Sequence, residues 1–173
     1  MNISNSLSFL RIILAFPVAY LLFIQDYELA IILGVIAGIT DFLDGFLARK
    51  LNQITELGKV LDPIADKLFI GIIGLVLIYT GVMPLWFFAS IIIRDILILL
   101  GGLYARNKIK IVLTSTFEGK ATYSLILLVT LGMVLNNDYA HRYGGYLAIA
   151  AMVYTLFQYF ARMIKEIRKA KNK

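Results

Sequence analysis

Four aspartates between Asp41 and Asp66 carry the clearest chemical signal in the sequence. Asp41 and Asp44 are three residues apart, and Asp62 and Asp66 are four apart, so on helical backbone each pair shares one face. Carboxylates that converge repel one another unless cations neutralise them. Oxygen-only ligands select hard divalent ions such as Mg²⁺ or Mn²⁺, and two such ions can stabilise both reacting oxygens of a phosphoryl displacement. The spacing therefore predicts a site for two divalent ions.

These aspartates could also serve roles that involve no metal. Asp62 followed by Pro63 suits the N-cap and first residue of a helix, and Asp41 could pair with Arg49. A cation or proton pathway also places carboxylates within a membrane. It does not explain why the four gather at one end of two helices, with Gly45 and Arg49 among them.

Composition limits the class of protein that holds this cluster. Hydrophobic residues make up 60% of the 173 residues and charged residues 16%, against about 25% charged in soluble domains. The mean hydropathy is +0.82, which indicates a polytopic membrane protein. No cysteine is present, so disulfides and thiolate chemistry are excluded, and His141 is expected to be a solvated loop residue. The net charge is +6, and the basic residues flank apolar segments. This arrangement indicates lipid headgroups or a phosphorylated substrate as the anionic partner and argues against nucleic acid.

Apolar runs of spanning length predict a single all-α membrane domain over residues 1–173. The six predicted helices cover residues 8–24, 29–48, 63–80, 84–104, 121–135 and 143–164. Basic residues concentrate in the segments on one side of the membrane, namely 49–59, 106–120 and the tail 162–173. By the positive-inside rule, six transmembrane helices then place both termini in the cytoplasm.

The residues around the aspartates resemble a known family. The stretch reads Asp41-x2-Asp44-Gly45-x2-Ala48-Arg49-x8-Gly58-x3-Asp62-x3-Asp66. This is similar to the signature of the CDP-alcohol phosphotransferase family. The resemblance implies a membrane enzyme of phospholipid biosynthesis that transfers a phosphatidyl group from CDP-diacylglycerol to an alcohol acceptor and releases CMP.

The resemblance also implies roles for individual residues. Asp41, Asp44 and Asp62 would hold two divalent ions, Mg²⁺ or Mn²⁺, while Asp66 would touch metal and act as general base. Further positions would line the nucleotide and its diphosphate: Gly45, Ala48, Arg49 and Gly58 in the signature, with Asn5 and Ser8 near the start of the chain. A bacterial inner-membrane location with the active site facing the cytoplasm, and a possible homodimer, are further expectations.

Two resemblances bear on the identity of the acceptor. Residues 41–67 resemble bacterial phosphatidylglycerophosphate synthases, which use glycerol 3-phosphate and commonly carry Gly-Lys-x-Lys-Thr before helix five, where this chain has Thr122 in place of the second lysine. The later half, with Arg94-Asp95, resembles eukaryotic-type cardiolipin synthases, which use phosphatidylglycerol. We expect glycerol 3-phosphate, with phosphatidylglycerol as the alternative. The candidate acceptor contacts are Arg94, Lys110 and Lys120, and each could equally be a plain charge at the membrane interface.

Overall fold

The computed structural model describes residues 3–50, 56–109 and 116–171, and within them the side chains of residues 10, 12–39, 65–106, 108 and 116–170. Every regular element in these ranges is helical, which confirms the all-α prediction. The helices are α1 (Ile3–Phe23), α2 (Tyr27–Lys50), α3 (Glu56–Tyr79), α4 (Leu85–Ile109), α5 (Phe117–Val134) and α6 (Gly145–Lys171), with a π-helical turn at Ala140–Gly144 before α6.

Three helical stretches are long and apolar enough to cross a bilayer. They are Leu85–Arg106, Phe117–Val134 and Ala140–Ala170. Shorter apolar helical stretches lie at Ile12–Phe23 and Tyr27–Ile39. A bilayer core is spanned by about 17 to 25 helical residues, so the first three stretches have the dimensions of transmembrane helices.

The first of two compact units comprises Met1–Val82, in which α1 packs against both α2 and α3. The buried face of α1 is made of small and medium apolar side chains that recur with the period of a helix: Ala15, Val18, Ala19 and Leu22. The rings of Phe23 and Tyr79 stack with their centroids 5.7 Å apart and join the ends of α1 and α3. Thus α1 contacts both helices that carry the aspartate signature.

The second unit comprises Met83–Lys173, in which α6 packs against α4 and α5. Glycines allow the close approach of bulky rings. A Cβ at Gly101 would lie 3.0 Å from Cε1 of Tyr159, and a Cβ at Gly145 would lie 2.6 Å from Cη2 of Trp86. The Tyr159 hydroxyl also donates a hydrogen bond to the Ile98 carbonyl at 3.2 Å, which fixes α6 against α4.

The start of the third helix differs from the prediction. Because α3 begins at Glu56, Asp62 and Pro63 lie inside the helix, so the prediction of an N-cap and first helical residue is wrong. A proline within a helix removes its own hydrogen bond, here the one to the carbonyl of Lys59, and its ring crowds that carbonyl, so a helix that continues past a proline is usually kinked there. Gly58, expected on a loop between helices two and three, is likewise helical.

Two further segments differ from the prediction for identifiable reasons. The fifth helix starts at Phe117 because the Thr116 hydroxyl caps it, accepting the Gly119 N–H at 3.2 Å. His141, expected in a loop, is exposed but lies in the π-helical turn, where its Nε2 is 3.1 Å from the Met133 carbonyl oxygen.

Candidate active site

The four signature aspartates lie on two helices. Asp41 and Asp44 belong to the later part of α2, and Asp62 and Asp66 belong to the first half of α3. The helical backbone confirms the element on which each was expected, although Asp62 lies within α3 and not at its start. Spacings of three and four residues on a helix keep the members of each pair on neighbouring positions of one face.

The side chains of this cluster are described only in part. Asp66 is exposed, and the side chains of Asp41, Asp44 and Asp62 lie outside the described residues. Among the side chains that are described, no group of three or more His, Cys, Asp or Glu residues forms a metal site. The convergence of the four carboxylates therefore stays a prediction. As a donor set, four carboxylates on adjacent turns of two helices suit hard divalent ions.

The predicted nucleotide positions also fall on helices. Gly45, Ala48 and Arg49 lie in the last turns of α2, and Gly58 lies in the first turn of α3. The two positions near the chain start, Asn5 and Ser8, lie in α1, which begins earlier than predicted. None of these side chains is among the described ones, so their contacts with a nucleotide remain expectations.

Arg94 is the best-defined charged group of the described residues. Its side chain is only 3% exposed, and its Nη1 lies 3.1 Å from Oδ1 of Asp95, whose side chain is 8% exposed. The guanidinium carbon lies 4.3 Å from the centre of the Tyr123 ring, which is the geometry of a cation–π contact. The Tyr123 hydroxyl donates to the same Asp95 oxygen at 2.7 Å. Arg94 is therefore a buried, partnered cation rather than an interface charge.

This trio of Arg94, Asp95 and Tyr123 joins α4 to α5. Sequence reasoning singled out Arg94 and Asp95 but missed Tyr123. The two helices bring Tyr123 to a carboxylate 28 positions away, and local spacing carries no signal for such a contact. The sequence held only a generic hint, since a charge within an apolar span is expected to find a partner.

Lys120 and Lys110 are the remaining candidates for contact with the acceptor. Lys120 is exposed in the first turn of α5, and Lys110 lies outside the described residues. Thr122 is buried, and its hydroxyl donates to the Glu118 carbonyl at 2.9 Å. That hydroxyl is therefore engaged with the backbone of its own helix.

The helical, largely apolar architecture with three stretches of spanning length defines an integral membrane protein. The profile of the CDP-alcohol phosphatidyltransferase family matches residues 1–157. The chain belongs to this family, which confirms the resemblance found in residues 41–66 and the prediction of a phosphatidyltransferase enzyme.

Individual relatives agree with that assignment. The chain is 37% identical over 144 residues to a CDP-diacylglycerol–glycerol-3-phosphate 3-phosphatidyltransferase of Aquifex aeolicus, covering 80% of this chain and 79% of the relative. It is 48% identical over 81 residues to a protein of the same name from Rickettsia bellii, covering 44% of each. It is 41% identical over 108 residues to a human cardiolipin synthase (CMP-forming), covering 62% of this chain but only 36% of the relative.

Proposed function

We propose that this enzyme transfers the phosphatidyl group of CDP-diacylglycerol to glycerol 3-phosphate and releases CMP. The observation that carries the proposal is the family match over residues 1–157 together with the complete aspartate signature on α2 and α3. The Aquifex relative, which aligns over about four fifths of both chains, supports glycerol 3-phosphate as acceptor.

In this proposal the four aspartates hold two divalent ions, Mg²⁺ or Mn²⁺. Asp41, Asp44 and Asp62 act as ligands, and Asp66 is both ligand and general base. When bound, the ions supply positive charge that offsets the negative charge of the diphosphate and of the reacting oxygens. The exposure of Asp66 is consistent with a base that has to reach a substrate hydroxyl.

The chemical step follows from these roles. Asp66 takes the proton of the acceptor hydroxyl, and the acceptor oxygen forms a bond to the phosphorus that bears diacylglycerol. The bond from that phosphorus to the bridging oxygen of the diphosphate breaks, and CMP leaves with the bridging oxygen. The nucleotide is held by Gly45, Ala48, Arg49 and Gly58 of α2 and α3, with Asn5 and Ser8 of α1. Arg49 is the one cation among them for the diphosphate.

The membrane arrangement completes the proposal. One catalytic domain over residues 1–173 crosses the membrane six times with both termini in the cytoplasm. Its active site faces the cytoplasm of a bacterial inner membrane, and the chain can form a homodimer. The lipid tails of the donor require the bilayer, whereas CMP and glycerol 3-phosphate require water, so a site at the cytoplasmic end of the helices serves both. The basic segments 49–59 and 162–173 support this orientation.

Phosphatidylglycerol is the second candidate acceptor, which would make the enzyme a cardiolipin synthase. The human and rat cardiolipin synthases support it over about three fifths of this chain. Both candidates contain a phosphate, for which Arg94, Lys110 and Lys120 are the proposed contacts. A cation pathway is the distant alternative, and a CDP-lipid binder without turnover is another.

An acceptor panel with the purified full-length protein tests the proposal. Protein, CDP-diacylglycerol and Mn²⁺ are combined with glycerol 3-phosphate, phosphatidylglycerol, inositol phosphate or serine, and CMP release is measured. We expect release with glycerol 3-phosphate. Asp66→Asn should lower turnover at least about a hundredfold, because general-base catalysis contributes about 10² to 10⁴.

Asp26→Asn is the matched control for the loss of one carboxylate. Asp26 Oδ1 accepts the Leu29 N–H at 3.2 Å at the start of α2, and asparagine caps a helix as well as aspartate does. This variant should retain full activity. Ion flux in proteoliposomes without CMP release from any acceptor would indicate the cation pathway, and nucleotide binding without turnover would indicate a binder; either would refute the transferase.

A further inference from the structure

The buried guanidinium of Arg94 contains a donor, Nε, that lacks a hydrogen-bond partner among the described residues. Its Nη1 is bonded to Asp95, and one face of its plane is covered by the Tyr123 ring. Its Nε is buried and has no hydrogen-bond partner among the described residues. Buried donors are normally satisfied, and an unsatisfied one calls for a physical reason. A ligand that supplies the missing acceptor atom would provide that reason.

The geometry restricts which ligand that is. The edge of a guanidinium that carries Nε lies opposite Nη1, and it offers parallel N–H donors that match two oxygens of a phosphate. With Nη1 engaged and one face of the plane covered, the Nε edge is the one whose buried donor still lacks an acceptor. Thr122, on the neighbouring position of α5, directs its hydroxyl to Glu118 and does not compete for that anion.

Tyr123 controls this arrangement from two directions. Its ring, 4.3 Å from the guanidinium carbon, limits tilting of the Arg94 plane. Its hydroxyl, 2.7 Å from Asp95 Oδ1, holds the carboxylate that in turn holds Nη1. Tyr123 is itself 43% exposed, so its contacts serve to orient its neighbours more than to fill a core.

We propose that Tyr123 is a positioning residue of the acceptor site. Together with Asp95 it fixes Arg94 so that the Nε edge donates to the phosphate of the acceptor. This inference rests on the proposed function, and it adds a residue and a geometry to it. Glycerol 3-phosphate and phosphatidylglycerol share the phosphate that the site recognises.

Steady-state kinetics of the full-length enzyme with Tyr123→Phe provide the first test. The variant keeps the ring and loses the bond to Asp95. We expect the KM for the acceptor to rise about tenfold, as for a loss of about 1.4 kcal/mol in binding, while the KM for CDP-diacylglycerol stays within about twofold. Tyr154→Phe is the matched control, since it loses a hydroxyl that accepts from Gln158 at 2.6 Å on an exposed part of α6. It should change neither KM.

Thermal shifts provide a second test that does not depend on turnover. The probes are glycerol 3-phosphate and glycerophosphoglycerol, the water-soluble headgroup of phosphatidylglycerol, each without CDP-diacylglycerol. The probe that stabilises the wild type identifies the source of the phosphate, and its shift should shrink in Tyr123→Phe. Asp95→Asn, which keeps a hydrogen-bond acceptor for Tyr123 but loses the charge that holds Arg94, should act in the same direction.

The outcomes separate the inference from the function. A raised acceptor KM with an unchanged donor KM supports the positioning role, as does a reduced shift in a folded variant. Unchanged acceptor KM and equal shifts in wild type and Tyr123→Phe overturn it, even when the wild type releases CMP. A parallel rise in both KM values also overturns it, since that indicates a general loss of structure. Shifts that depend on Tyr123 in a protein that never releases CMP would keep the anion site and reject the transferase.

Discussion

Replacing both members of the Arg94–Asp95 pair should be far less damaging than replacing either one. The charged atoms are 3.1 Å apart, and the side chains are 3% and 8% exposed. At an effective dielectric constant of about 20, their attraction is about 5 kcal/mol, most of which offsets the desolvation of the two charges. Arg94→Met or Asp95→Leu alone leaves the other charge buried without its partner. Each single variant should therefore lose about 3 to 5 kcal/mol of stability.

The double variant Arg94→Met/Asp95→Leu removes both charges, and its stability should lie within about 1 kcal/mol of the wild type. The coupling energy of the cycle should then be at least about 5 kcal/mol, more than is usual for neighbouring residues. The assay is equilibrium unfolding in mixed micelles, followed by fluorescence of Trp86, the one tryptophan of the chain. The stable double variant should still fail to use the acceptor, because it lacks the guanidinium.

Two results would refute this reasoning. If the two single variants each cost less than about 1 kcal/mol, Arg94 and Asp95 are solvated in the membrane-embedded protein and the buried geometry is wrong. If the losses in the single variants simply add in the double variant, the two side chains do not interact, and the trio cannot position anything.

Two stability predictions concern packing and capping. Gly145→Ala should destabilise the protein by about 1 to 3 kcal/mol in the same unfolding assay, because the new Cβ would press on Trp86. Gly71→Ala should be neutral or stabilising, because no described atom lies within 4 Å of its Cβ. Equal effects of both glycine variants would contradict the close contact. Thr116→Ala should lower the stability by about 1 kcal/mol, because the Gly119 N–H at the start of α5 loses its cap. Thr116→Ser should keep the cap and the stability. An alanine variant as stable as the wild type would contradict the cap.

The sequence predicted the helices well but not all of their ends. Long apolar runs made six helices evident, and all six exist in the described residues. The N-terminus assigned at Asp62 was wrong because an Asp-Pro step favours a helix start without requiring one. The true start of α5 was missed although Thr116 is a good capping residue. The helix was placed from its apolar pattern, which begins only later, near Ala121.

Those features of the site that depend on neighbouring residues of one helix could be predicted from the sequence. Spacings of three and four residues within one helix place side chains on one face, so the chain alone could predict that Asp41 and Asp44 share a helix and that Asp62 and Asp66 share the next one. The pairing of Arg94 with Asp95 is also local. Its burial and its contact with Tyr123 depend on how α4 and α5 pack, and no residue spacing encodes that.

The charge and the hydrogen-bond donors at the acceptor end of the proposed site come from Arg94, Asp95 and the side chains of α5. Asp95 balances the charge of Arg94, and Thr122 stands where the resemblance would place a lysine, with its hydroxyl directed to the backbone of α5. A phosphate that reaches Arg94 in the proposed site therefore meets one guanidinium edge whose charge Asp95 largely offsets, with Lys110 and Lys120 as the other proposed cations. Under these conditions the direction of that edge matters more for binding than the overall positive charge, because charge-assisted bidentate hydrogen bonds are strongly directional. If the proposal holds, Tyr123, which contacts both Asp95 and Arg94, sets this direction and is as important to acceptor recognition as the cation itself.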